Sequence, residues 1–359
     1  MKTSVWSTFL IIALILLAGC SQPNFNEEKW KQAVDATQTS DLYQNHQADG
    51  LFFNPWMKDN RSSFTSLMRW RLSSRQHYTE EEEAYMPRVL DNARETVQNN
   101  MHKDFIMWIG HGSYLIKTGA IIWLLDPMFS KRALLPARFT PPALTAKDIN
   151  ELFPQVNVVM SHNHYDHLDA DSIKDLSENT HFFLPLGLAK TIRDWQPRAK
   201  ITELDWWDQI KLVDGIELHS LPAQHWSLRA FESANSSLWA SYMIVTPGKT
   251  IYFGGDSGYF IGYREFGRKY KKIDYALMPT TAYHPRWFMH YAHMNADEAV
   301  QAFTELGADY FIPTQWGTFR LGDNPPGQSA LDLKRLIKQN QLDPQQFLIL
   351  DIGELLLIN

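Results

Sequence analysis

The sequence predicts an α/β fold: two β-sheets covered by helices, preceded by a mostly helical N-terminal extension. Three observations carry this. From Phe105 the chain breaks into short apolar runs separated by glycines, as strands joined by tight turns do. Past Ile216, further strand-like runs alternate with amphipathic helical stripes, a pattern that layers helices over sheets. Apolar residues make up 44% of the 359, enough for a sizeable core. The formal charge of −6, with no basic stripe, argues against a nucleic-acid-binding surface.

In chain order, residues 1–19 read as a targeting segment. Lys2 gives a short positive start, and residues 5–17 are apolar but short for a membrane span. The segment ends Leu17-Ala18-Gly19-Cys20, which resembles a bacterial lipoprotein signal; the other reading is an uncleaved membrane anchor. Cys20 is the only cysteine, so its lipidation leaves no thiol for a disulfide or a metal. Ser21 after it resembles the outer-membrane sorting signal. The expected location is the cell envelope, by a lipid anchor in the outer membrane. Residues 20–50 are polar and read as a flexible tether. Residues 51–359 form the expected domain, with 51–104 as its extension. There, 79–99 looks helical, with Glu80 to Glu83 as a solvated first turn. Residues 64–72 mix Phe, Leu, Met, Trp and Arg, and either pack on the main domain or lie on a membrane surface.

Strands are expected at 105–109, 114–116, 121–125, 156–160, 216–221, 242–245, 250–253, 275–278 and 310–312. Residues 296–306 carry Ala296, Ala299, Val300, Phe303 and Leu306 on one helical face, and Asn295 with Glu298 can cap that helix. Residues 329–339 repeat the pattern with Ala330, Leu333, Leu336 and Ile337.

The run 156–160 leads directly into His162-Asn163-His164-Tyr165-Asp166-His167. In an extended segment side chains alternate, so His162 and His164 point the same way. A turn beyond them would bring Asp166 and His167 to a neighbouring point. One short segment can thus give two ligands to each of two metal ions, and imidazole and carboxylate suit zinc and similar borderline metals. His225 and Asp256 also follow strand candidates, where such sites collect ligands. The glycines Gly254 and Gly255 let the backbone turn sharply before Asp256. A carboxylate there could bridge two cations.

Several stretches together resemble the metallo-β-lactamase superfamily, and within it the phospholipases D that cleave N-acyl-phosphatidylethanolamines and their bacterial relatives. They are Trp108-Ile109-Gly110-His111-Gly112, Leu125-Asp126-Pro127, the histidine cluster, Gln224-His225-Trp226, Pro285-Arg286-Trp287-Phe288 and Trp316-Gly317-Thr318-Phe319. The resemblance implies an αββα sandwich with two Zn2+ ions between the sheet edges. It implies His162, His164 and His225 on one zinc, Asp166 and His167 on the other, and Asp256 bridging. It implies that Asp126 orients a ligand and that His111 lies near the site, where a buried structural role stays open. His293 matches a histidine at the active-site mouth.

At one place the sequence departs from that family. The family's last zinc ligand is a histidine directly before Trp-Gly-Thr-Phe, and here that position is Gln315. An amide oxygen is a weaker zinc ligand than imidazole. The second site then binds more weakly with Gln315 or water completing it, prefers a metal tolerant of oxygen ligands, or is lost.

The activity implied is hydrolysis of a phospholipid phosphodiester by a water activated between the metals, with Asp166, Asp256 and His293 as the catalytic candidates. Opening of lactones or other esters on the same fold is the alternative. A non-catalytic metal-binding envelope lipoprotein is the reading from a different class. A homodimer is a further expectation from the resemblance.

Overall fold

The computed structural model describes residues 23–58 and 64–358. Asn26 caps α1 (Glu27–Asp35), whose Trp30 and Val34 lie four apart on one buried face. Trp30 donates through Nε1 to Glu298 at 3.0 Å, and Arg286 pairs with both Glu27 and Glu298. Leu42 is buried too, and a hairpin of β1 (Gln47–Ala48) and β2 (Leu51–Phe52) buries Phe52. The flexible tether expected over 20–50 is therefore corrected where the structure describes it. A few apolar side chains spread through polar sequence are enough to dock the segment. Cys20 and everything before it lie outside the described residues.

The single helix expected over 79–99 is also corrected. A capping box of Thr79 and Glu82 starts α3 (Glu80–Ala84), and α4 (Ala93–Asn99) is separate. Pro87 lies between them; it lacks an N–H and disfavours helical backbone before it. The preceding α2 (Phe64–Leu72) has two characters. Trp70 stacks on Phe288 at 5.1 Å and donates to Asp323, while Leu67, Met68 and Leu72 stay exposed.

Alternation along the strands builds the layers. In β3 (Phe105–Gly110), Ile106 and Trp108 enter one core, while Phe105, Met107 and Ile109 enter another. Because both faces are buried, the strand reads as a continuous apolar run. It belongs to a seven-stranded sheet with β4 (Ser113–Thr118), β5 (Ile121–Leu125), β6 (Asn157–Val159), β7 (His181–Pro185), β8 (Lys200–Leu204) and β15 (Leu355–Leu357), ordered β15-β3-β4-β5-β6-β7-β8. The second sheet has β9 (Gln209–Lys211), β10 (Glu217–Leu221), β11 (Ser241–Val245), β12 (Thr250–Phe253), β13 (Ile273–Pro279) and β14 (Ala308–Thr314), ordered β14-β13-β12-β11-β10-β9.

The first core lies between the sheets, where Trp108, Tyr114, Trp123 and Leu125 meet Leu218, Tyr242, Ile244 and Phe253. The second lies between the seven-stranded sheet and α4, α5 (Ala146–Leu152), α6 (Ala170–Asp175) and α7 (Ala189–Trp195). On the far side, α8 (Gly262–Lys269), α10 (Ala296–Leu306) and α11 (Gln328–Gln339) bury Phe266, Phe303 and Leu333 against the second sheet, and the short α9 (Arg286–Met289) lies between α8 and α10 in the chain. The result is the expected αββα sandwich. The Asn295–Glu298 capping box forms as expected, and Gly307 ends α10 at φ 62°. Six of the described strands, β1, β2, β7, β8, β9 and β15, were not among the expected ones. No helix among the described residues is long and apolar enough to cross a membrane.

Candidate metal centre

The strand ends on one edge of both sheets deliver the site. Asp126 follows β5, Ser161 to His167 follow β6, and His225 follows β10. Asp256 follows β12, His293 lies beyond β13, and Gln315 follows β14. His111 sits in the turn between β3 and β4. Carboxyl ends of strands are where open α/β sheets place their ligands.

The structure gathers these residues into two groups. In the first, His164 Nδ1 lies 2.9 Å from His162 Nε2 and 3.1 Å from His225 Nε2. Asp256 Oδ2 is 3.7 Å from His162 Nε2 and 3.5 Å from His225 Nε2. In the second, Asp166 Oδ2 lies 3.0 Å from His111 Nε2 and 3.4 Å from His167 Nε2. Asp256 turns its other oxygen, Oδ1, to His167 Nε2 at 3.4 Å, so one carboxylate spans both groups.

These spacings suit a cation. Donors at about 2.0–2.1 Å in a tetrahedral shell lie roughly 3.3 Å apart. Nitrogen lone pairs converging this closely repel unless positive charge lies among them. His167 Nε2 is buried without a hydrogen-bond partner. Three imidazoles and a carboxylate, beside two more imidazoles and a carboxylate, are the donors that divalent transition metals take.

Asp126 orients the centre from beneath. Its Oδ2 accepts from His167 Nδ1 at 2.6 Å and from Ser161 Oγ at 2.5 Å, and its Oδ1 accepts from Ser161 N at 2.7 Å. Ser161 Oγ in turn accepts from His162 Nδ1 at 2.8 Å. His225 Nδ1 points to the Ala292 carbonyl at 3.3 Å. With Nδ1 held in this way, each of these rings turns its Nε2 to the centre. Ser161 was not singled out in the sequence, and neither was Arg229. The latter donates to the carbonyls of Asn163 and Leu168, both at 2.8 Å, and so fixes the histidine turn. Nothing in local spacing marks an arginine more than sixty residues away as that clamp.

Electrostatics agree with a ligand role. Burial, with the neighbouring histidines, holds His162 well below the ordinary imidazole range. Burial brings His164 down to about 4 and lowers His111. Burial also opposes charge on His167, but the Asp256 and Asp166 carboxylates outweigh it and raise that ring well above the usual range. Burial pushes both carboxylates up, yet His167 and its neighbours dominate and hold them low. The two ionised carboxylates are thus balanced by positive charge on His167, between the two groups.

Gln315 turns its amide nitrogen inward. Nε2 donates to the Gly255 carbonyl at 2.9 Å and to Asp256 Oδ1. In this arrangement the amide nitrogen, and not the oxygen considered as a ligand, faces Asp256. His293 packs edge-on to His225 at 5.5 Å and lines the cavity over the centre.

That cavity has a volume of about 960 Å³. His164, Asp166, His225 and Asp256 contribute to its wall, which is otherwise largely apolar, with Phe53, Trp70, Trp226 and Phe288. Leu67 of α2 and Leu228 reach both the cavity and solvent, and Phe231 beyond Leu228 is fully exposed.

A family model described as a beta-lactamase superfamily domain matches residues 123–316. An uncharacterized protein of Mycobacterium tuberculosis is 35% identical over 298 residues, covering 78% of this chain and 76% of its own. An N-acyl-phosphatidylethanolamine-hydrolyzing phospholipase D of Caenorhabditis elegans is 33% identical over 269 residues, covering 70% and 75%. Among solved structures, Igni18, a metallo hydrolase from Ignicoccus hospitalis, aligns with a TM-score of 0.55 at 20% identity, over 72% of this chain and 99% of its own.

Proposed function

Because the chain belongs to the metallo-β-lactamase superfamily, with relatives among the N-acyl-phosphatidylethanolamine-hydrolysing phospholipases D, we propose that it is a phospholipase D-type phosphodiesterase that uses two zinc ions. Its membership makes it a metal-dependent hydrolase. The finer reading rests on one observation: two buried histidine–aspartate groups share Asp256 on the wall of an apolar cavity of about 960 Å³. A polar reacting centre inside an apolar chamber fits a lipid with a phosphodiester head.

When bound, divalent ions here would polarise the phosphoryl oxygens and make water more acidic. The chain's own residues do the rest. Asp256, with one oxygen on each group, fixes their spacing. Asp166 lines the cavity and its side chain is 14% exposed against 3% for Asp256, which makes it the more open acceptor for the water's proton. Water forms the new bond to phosphorus, and the bond from phosphorus to the ethanolamine oxygen breaks. The leaving oxygen takes up a proton, giving an N-acylethanolamine and phosphatidic acid. His293 at the cavity wall contacts the headgroup. The apolar wall holds acyl chains, and Leu67, Leu228 and Phe231 face the lipid surface to which Cys20 is anchored, at the outer membrane.

The test is product analysis by mass spectrometry. The metal-loaded chain is given vesicles containing N-acyl-phosphatidylethanolamine and, separately, a long-chain lactone. The expected result is phosphatidic acid with N-acylethanolamine. Opening of the lactone alone would shift the reading to an ester hydrolase. No turnover of either substrate by a metal-loaded chain would leave a binding protein.

A further inference from the structure

We propose that His111 is a ligand of the second cation, completing with Asp166, His167 and Asp256 Oδ1 the shell from which Gln315 is missing. The proposal rests on the metal-hydrolase reading and names which of this chain's residues build the second position. Its first support is distance. His111 Nε2 lies 3.0 Å from Asp166 Oδ2, which lies 3.4 Å from His167 Nε2, which lies 3.4 Å from Asp256 Oδ1. Each step matches the roughly 3.3 Å edge of a tetrahedral shell. The donor atoms of His111, Asp166 and His167 all lie within 4.8 Å of one another.

The second support is an aimed, unpartnered atom. His167 is fully buried, its Nδ1 is fixed by Asp126, and its Nε2 faces this group without a hydrogen-bond partner. The third is how His111 is held. Its backbone is left-handed at φ 52°, a conformation that non-glycine residues keep only when the surroundings impose it. Here Thr318 Oγ1 accepts from His111 N at 2.9 Å, and the His111 carbonyl accepts from Trp108 Nε1 at 2.8 Å and from Gln315 N at 3.1 Å. Phe319 meets the ring edge-on at 5.0 Å. Gly112 beside it leaves room for His167, which a Cβ there would meet at 3.1 Å.

Gln315 has the complementary part. Its amide donates to Asp256 Oδ1 and to the Gly255 carbonyl, which steadies the bridging carboxylate without supplying a ligand. The turn that carries His111 is hydrogen-bonded to the backbone of Gln315, so both sit on the same wall of the site.

Two measurements test this. Zinc is soaked into crystals of the full chain, and anomalous scattering locates the ions. The expected second ion lies about 2.1 Å from His111 Nε2. A second ion beyond bonding reach of His111, or one ion alone at saturating zinc, overturns the proposal. Metal content and chelator competition then compare the parent with H111Q and with H111Q/Q315H. H111Q should keep one zinc and lose affinity for the other on the order of 100-fold. The double variant should regain two, because an imidazole returns at the neighbouring position on that wall. Two zincs of unchanged affinity in H111Q would overturn the proposal. None of these readouts depends on which substrate is cleaved, so failure of the lipid assay leaves them intact.

Discussion

At Asp126 a single buried carboxylate accepts from the Ser161 backbone, the Ser161 hydroxyl and the His167 ring. Asp126→Asn keeps the shape but puts N–H donors where acceptors stood, so His167 loses the partner that fixes its tautomer. Affinity for the cation beside His167 should fall about 10–100-fold while the fold persists. Chelator competition on folded variant protein measures it, and an unchanged affinity would remove Asp126 from the account. The candidate ligands of the 162–167 cluster were legible in the sequence because few residue types bind metals and four of them crowd into six positions. The hydrogen-bonding residues were less so. Arg229 and Asn163 are ordinary residues until the fold brings them together. The pairing of His111 with Asp166 spans 55 positions, and no local pattern could reveal it.

The N-terminal segment is the element that departs furthest from expectation. It is tied to the second sheet's neighbourhood by His46, whose Nε2 lies 2.7 Å from Asp205 Oδ1 and whose ring stacks on Trp206. Burial opposes charge on His46, but the hydrogen bond and charge of Asp205 outweigh it and raise the ring above 6.5. Burial likewise opposes charge on Asp205, and His46 overcomes it and holds the carboxyl low. The sign follows. The histidine's contribution is full below its unfolded value and is lost as pH rises through the raised folded value. The aspartate's contribution is lost only as pH falls below the ordinary carboxylate range. Amide hydrogen exchange should therefore show residues 24–52 best protected on the mildly acidic side of 6.5, with protection falling above it. His46→Gln should flatten that fall; an unchanged profile in the variant would contradict the assignment. Helices with a capping pair, such as α10, were readable from sequence. By contrast, α1 was not, because three apolar residues among six polar ones, with only Trp30 and Val34 large, carry too faint a stripe.

Across the whole molecule, the continuous apolar strands announced two buried faces, and hence a sandwich. The order of strands in each sheet was not written in any local pattern, since it depends on pairings between distant segments. That order decides the site: it brings the ends of β5, β6, β10, β12 and β14 to one edge. Metal binding there joins both sheets, so stripping it should lower the melting temperature. Ions at 100 times their dissociation constant stabilise a fold by about 2.7 kcal/mol. A melting curve unmoved by chelation would mean that the two groups do not act as a metal centre. The central claim, that this centre directs water onto phosphorus, is tested most directly by hydrolysing N-acyl-phosphatidylethanolamine vesicles in 18O-water. The account predicts one 18O in the phosphatidic acid and none in the N-acylethanolamine. Label in the N-acylethanolamine, or in a released fatty acid, would contradict it.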